Sequence, residues 1–138
     1  MFNKGSKLYS IVNNKCPKCH EGDFFMVPNS YDLKNFSKMY PECPVCHEQF
    51  EPEPGYYYGA MYVSYAINVA VFVSVWVACI VLFGEVGVWY QVLASVIAGL
   101  AMTPFTFRMA RLVWINFFVK YDSNAKALAA TKIGATSL

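Results

Sequence analysis

One stretch decides the fold: residues 59–83, which read GAMYVSYAINVAVFVSVWVACIVLF. These 25 residues contain no Lys, Arg, Asp or Glu. As a helix they would rise about 37 Å, which exceeds the ~30 Å hydrocarbon core of a bilayer. The stretch therefore predicts a helix that spans a membrane.

A second uncharged run follows at residues 88–107, interrupted near its end by Thr103-Pro104. The intervening residues 84–87 contain two glycines, which suit a tight reversal between antiparallel helices. Only 14% of the 138 residues are charged, against about 25% in an average soluble domain. The sequence thus predicts a transmembrane hairpin of two α-helices.

The basic residues indicate how this hairpin is oriented. All 11 Lys and Arg residues lie before residue 59 or after residue 107, and the turn has none. By the positive-inside rule, the N-terminus and the C-terminus both face the cytosol. The first 15 residues lack the apolar core of a cleavable signal peptide. We therefore expect a multi-pass membrane protein with a cytosolic N-terminal segment.

Two Cys-x-x-Cys pairs precede the hairpin, one at 16–19 and one at 43–46, each followed by histidine. Four thiolates at this spacing supply what a closed tetrahedral zinc site requires, so the predicted ligands of a structural Zn²⁺ are Cys16, Cys19, Cys43 and Cys46. A β-hairpin between the pairs would bring the second turn beside the first. Structural zinc contributes on the order of 10 kcal/mol to folding in such small domains. His20 and His47 are predicted not to be ligands, since four cysteines already fill a tetrahedron.

Three other interpretations of the cysteines remain open on sequence alone. Cys-x-x-Cys-His is the attachment pattern of c-type haem, although haem is attached outside the cytosol. A rubredoxin-like iron centre uses the same four thiolates. Disulfides are disfavoured by a reducing cytosol. Cys79 stands apart within the first span and is predicted to be a small apolar residue there.

These features divide the chain into four parts. Residues 1–50 are predicted to form a cytosolic zinc-ribbon domain, and residues 51–58 a proline-rich joint. Residues 59–107 form the transmembrane hairpin, with spans at 59–83 and 88–107. Residues 108–138 are predicted to be a helical extension and tail, either continuing the second helix into the cytosol or lying at the interface, where it also packs on the ribbon or on a partner.

The residues indicate an interaction module and no enzyme. No nucleophile with a base, carboxylate pair or open metal site is visible. The segment before residue 59 carries six Lys against seven acids, which predicts no nucleic-acid binding. The leading hypothesis is a non-catalytic accessory subunit, in contact with lipid and with a larger integral membrane complex such as a translocation, insertion or respiratory assembly. The alternative is a membrane-tethered electron carrier with iron or haem at the cysteines.

The stretch from Phe50 to Tyr65, FEPEPGYYYGAMYVSY, resembles a bacterial family known as domain of unknown function 983, in its Bacteroidetes form. The resemblance extends over about residues 8–121. It implies a location in the bacterial inner membrane and a zinc-ribbon-like N-terminus built on the same four cysteines. Many members have glycine where this chain has His20 and His47. The family has no settled activity.

Overall fold

The computed structural model describes residues 3–136. These residues form four helices: α1 (Lys7–Asn13), α2 (Tyr58–Phe83), α3 (Val88–Phe118) and α4 (Ala125–Thr136). Helices α2 and α3 pack along each other as a hairpin. The backbone at Gly84 has a φ of +67°, which glycine adopts without steric cost, and its N–H caps the carbonyl of Ile80.

Both long helices are long and apolar enough to cross a membrane. In the most apolar 18-residue window of α2 no residue is buried, and in that of α3 22% are. Helix α3 runs through Pro104 without ending, although the sequence suggested an interruption there. The two uncharged runs therefore correspond to the two helices α2 and α3. Helix α3 extends well past the end of the second run.

The segment between α1 and α2 contains no β-strand among the described residues, so the predicted β-hairpin is not confirmed. Three isolated bridges join Lys15 to Asp23, Phe25 to Met39 and Glu42 to Gln49. Four prolines lie between residues 17 and 44, and a proline cannot donate to a strand ladder. The segment is a set of turns held by its cysteines and its aromatic core.

That aromatic core consists of Phe24, Phe25 and Phe50, each at most 2% exposed. The rings of Phe24 and Phe50 lie 4.5 Å apart. Leu112 and Ile115 of α3 are buried in the same core. The second long helix therefore supplies one wall of the N-terminal domain.

Polar side chains of α3 form hydrogen bonds that hold the N-terminal domain against this helix. Arg108, only 5% exposed, donates hydrogen bonds to three backbone carbonyls, those of Phe36, Pro28 and Val27, at 2.9, 3.2 and 2.6 Å. Farther along, the Trp114 indole donates to the carbonyl of Tyr56 at 2.9 Å, and the Asn116 amide donates to the Ser10 hydroxyl at 3.2 Å. Because these bonds join distant segments, the N-terminal domain and α3 form one packed unit.

The C-terminal extension also returns to this domain. The N–H of Asp122 donates to the carbonyl of Lys18 at 2.9 Å. Helix α4 then buries Ala125, and its Lys126 pairs with Glu21 at 3.1 Å. The extension thus continues the second helix as far as Phe118 and then packs on the cysteine-containing domain.

Candidate metal centre

Each Cys-Pro-x-Cys-His motif folds into the same tight turn. The N–H of His20 donates to the carbonyl of Cys16, and the N–H of His47 donates to that of Cys43, both at 3.0 Å. The two histidines end these turns in the left-handed region, with φ of +57° and +54°. Such a turn directs both of its sulfurs toward the same point.

The two turns face each other and interleave their sulfurs. The Cys16 and Cys46 sulfurs are 3.7 Å apart, and the Cys19 and Cys43 sulfurs are 3.6 Å apart. All four lie within 4.8 Å of one another, and the four residues are 0–8% exposed. The edge of a tetrahedron with metal–sulfur bonds of ~2.3 Å is about 3.8 Å. The cluster could therefore hold one metal ion and would leave it no open position.

Hydrogen bonding among the thiols separates their acidities. A hydrogen bond from Cys16 lowers the pKa of Cys19 well below its usual value, and the same interaction raises that of Cys16. Cys16 likewise lowers the pKa of Cys43 to about 7. One sulfur of each turn is thus disposed to be a thiolate, the form that binds metal. A bound cation would favour deprotonation of the others.

Two residues close to the cysteines shape the cluster without belonging to the predicted ligand set. Gly22 accepts a hydrogen bond from the N–H of Cys16, and a β-carbon placed on it would lie 2.4 Å from the Cys43 sulfur. Lys18 of the first turn pairs with Glu48 beyond the second at 2.6 Å, and this hydrogen bond raises the pKa of Lys18. Sequence reasoning missed both residues. The only available signal was their position two or three residues from a cysteine.

The two histidines share the same left-handed backbone conformation but differ in their surroundings. His20 is 2% exposed, and its Nδ1 accepts a hydrogen bond from the N–H of Gly5 at 3.1 Å. Its ring packs between those of Tyr9 and Tyr121. His47 is largely exposed, 3.5 Å from Glu42. Neither histidine belongs to the sulfur cluster.

The arrangement also bears on the open alternatives. The closest sulfurs are 3.6 Å apart, which exceeds the ~2.05 Å of a disulfide. A c-type haem would bind the two sulfurs of one motif at the porphyrin edge, whereas here each sulfur lies against one of the other motif. The geometry therefore favours a single tetrahedral ion.

These features define the class: a protein with two helices of membrane-spanning length and a buried four-cysteine cluster built onto the second of them. The chain belongs to the family described as protein of unknown function DUF983, which it matches over residues 33–118. The matched range holds the second cysteine turn and both long helices, and confirms the family to which the sequence was compared, over a shorter range than the expected residues 8–121. No curated protein and no solved structure matches the chain.

Proposed function

We propose that this protein is a non-catalytic accessory subunit of a larger complex in the bacterial inner membrane. The observation that carries the proposal is the attachment of the cysteine-containing domain to α3 through Arg108 and its three carbonyl acceptors. That attachment makes the metal domain and the hairpin one rigid body. Such a body suits a docking role, because it presents a cytosolic surface at a fixed height above a membrane anchor.

The bound ion in this proposal is structural zinc. A set of four buried thiolates is typical of closed zinc sites, and a reducing cytosol keeps the cysteines free of disulfides. With four protein ligands, the ion would cross-link the two turns and offer no position to a substrate. Its chemistry is that of a fold-stabilising cross-link.

The membrane placement rests on the exposed apolar surface and on charge. Large apolar side chains are exposed along α2 and the first part of α3, such as Val81, Leu82 and Leu93. In water such a surface would be costly, whereas lipid covers it without cost. Both ends of the chain carry the basic residues, which supports a cytosolic N-terminus and C-terminus.

A loop of the cytosolic domain is suited to dock a partner. Two of the carbonyls that Arg108 binds belong to Val27 and Pro28, and the third to Phe36. Between them, Tyr31 and Leu33 are 57% and 75% exposed. Because Arg108 already holds this loop in place, little conformational entropy would be lost when Tyr31 and Leu33 bind a partner. This supports a protein partner such as a translocation, insertion or respiratory assembly.

Purification in mild detergent tests this proposal. The wild-type chain should be recovered with a stoichiometric integral membrane partner, and a Tyr31→Ser/Leu33→Ser double variant should lose that partner while it keeps its metal. Ile133→Ser, an exposed apolar change on α4, is the matched control and should retain the partner. Recovery of the wild type as a lone monomer would contradict the proposal.

A membrane-tethered electron carrier is the second candidate, because the sulfur spacing accommodates iron as well as zinc. A ferric thiolate centre absorbs visible light, whereas a zinc site is colourless. A protein that contains iron in proportion to the chain and is coloured after oxidation would favour the carrier, and protein without iron or haem would exclude it.

A further inference from the structure

A lateral groove runs along the hairpin between α2 and α3. Its upper part, about 670 Å³, opens where the joint enters α2, and both Glu51 and Arg111 line it. Its lower part, about 290 Å³, lies deeper along the helices beside Gly99. Asn68 lines both parts, so that they adjoin. The groove thus has a charged upper end and a mainly apolar lower end.

Arg111, at the upper end of the groove, has N–H donors free of strong acceptors among the described residues, unlike Arg108. The guanidinium of Arg108 donates hydrogen bonds to three backbone carbonyls. Arg111, in contrast, donates within the described residues to the Met39 thioether, a weak acceptor, at 3.3 Å. Its guanidinium is held over the rings of Tyr57 and Phe107 at 5.0 and 4.3 Å. An arginine fixed in this way offers a planar set of donors that matches a phosphate.

An acid shares the same end of the groove. Glu51 is exposed and lines the cavity together with Arg111, and among the described residues no ion pair joins the two. The upper end therefore presents one cation and one anion separately. A purely anionic ligand would be repelled by Glu51, whereas a zwitterion with a phosphate and an ammonium matches both charges.

The length and lining of the groove fit a lipid. Arg111 and Val96 lie fifteen residues apart on α3, which is about 22 Å of helix. One leaflet measures about 20–22 Å from the bilayer midplane to its outer edge. The lower wall is mostly apolar, and the space in front of Gly99 is open, since an added β-carbon there would meet nothing within 4 Å.

We propose that this groove holds a zwitterionic phospholipid of the cytosolic leaflet, with its phosphate at Arg111, its ammonium at Glu51 and an acyl chain directed toward Gly99. The inference rests on the membrane placement proposed above. It requires no protein partner, so it can be tested on the isolated chain and can fail or succeed independently of the accessory-subunit role.

The test is native mass spectrometry of the full-length chain in detergent, with dioleoyl phosphatidylethanolamine or dioleoyl phosphatidylglycerol added. The wild type should retain the ethanolamine lipid about tenfold better, since a charge-assisted hydrogen bond distinguishes the two. Glu51→Gln should abolish this preference. Glu53→Gln, which changes a nearby exposed acid outside the groove, should leave it unchanged.

A second variant tests the lower end. Gly99→Leu should fill the open space and reduce retention of both lipids severalfold, while metal content stays that of the wild type. Equal retention of the two lipids by the wild type would overturn the proposal, as would identical behaviour of Glu51→Gln and Glu53→Gln. A lipid-free dimer, which would mean that a second copy covers the groove, would also overturn it.

Discussion

Helix α3 is one continuous helix whose two halves have opposite surroundings. Residues 88–103 bury only two side chains, those of Gln91 and Ser95, whereas residues 104–118 bury seven. The first half leaves large apolar residues such as Trp89 and Leu93 exposed. A single helix thus passes from a segment whose large apolar side chains are exposed to one enclosed by protein.

The polar groups of the two halves are satisfied differently. In the first half, the Ser95 hydroxyl donates to the carbonyl of Gln91, and the Gln91 amide donates to that of Val86, all within or next to the same helix. In the second half, Arg108 and Trp114 bond to segments 58 to 81 residues away. The hairpin is therefore self-contained, while the second half of α3 depends on several segments at once. Removing one of these contacts should destabilise the cysteine-containing domain and spare the hairpin.

The largest effect is expected from loss of a sulfur. Cys43→Ser should abolish metal binding and cost the cysteine-containing domain on the order of 10 kcal/mol, because the proposed ion would be its main cross-link. Limited proteolysis should then cleave residues 14–57 rapidly, while far-ultraviolet circular dichroism still reports the long helices. Cys79→Ser, on α2 and outside the cluster, is the control and should behave as the wild type. If Cys43→Ser kept the segment protected, the dependence on metal would be disproved.

A smaller effect is expected from loss of the link between α3 and the cysteine-containing domain. Arg108→Met removes three charge-assisted hydrogen bonds and leaves their three carbonyl acceptors without this partner, which should lower the free energy of unfolding of the cysteine-containing domain by about 3 kcal/mol. Arg108→Lys should fail as well, since one ammonium cannot reproduce the guanidinium's planar set of donors. Hydrogen exchange in residues 26–38 is the measurement, and Lys120→Met at an exposed position is the control. Unchanged exchange in Arg108→Met would refute this link.

Gly22→Ala should weaken the metal site without removing a ligand. Its β-carbon would lie 2.4 Å from the Cys43 sulfur, so one of the two turns must shift. We expect metal affinity to fall on the order of 10-fold to 100-fold, the range found when groups around metal ligands are disturbed. Competition with a chromogenic chelator measures this change. Gly99→Ala, where the added carbon meets nothing within 4 Å, should leave affinity unaltered, and an equal loss in both variants would argue against the steric cause.

The two left-handed histidines provide the smallest and most selective comparison. Glycine relieves the same backbone strain at either position. His47→Gly should therefore change stability by no more than about 1 kcal/mol, whereas His20→Gly should cost about 1–3 kcal/mol because it removes a buried ring and the acceptor of the Gly5 N–H. Thermal unfolding of the two variants side by side tests the difference, and equal melting temperatures would contradict it.

Much of the fold was predictable from hydropathy and spacing. The charge-free run at 59–83 corresponds to α2, the second run to the first part of α3, and the four cysteines come together as their motifs indicated. The uncharged runs are local features of the sequence, and the cysteine motifs follow a spacing that is typical of metal sites, so both can be read without the folded structure. The family resemblance was likewise carried by one specific stretch, at Phe50 to Tyr65.

The remainder depends on contacts between distant segments. In the sequence Arg108 is only the first basic residue after the second uncharged run, and the folded chain alone shows its guanidinium among carbonyls 72 to 81 residues away. The expected β-hairpin is not confirmed: prolines limit a ladder between residues 17 and 44, and the aromatic core is completed by α3. The left-handed backbone of His20 and His47, the positions where the resemblance implied glycine, also emerges only in the folded chain, and glycine adopts that conformation without steric cost.

Elemental analysis of the purified full-length protein, with its visible spectrum, tests the central claim most directly. One zinc per chain is predicted for a colourless wild type and for Cys79→Ser, and none for Cys43→Ser. Iron or haem in proportion to the chain, or a folded cysteine-containing domain without metal, would contradict a zinc ion held by the four cysteines.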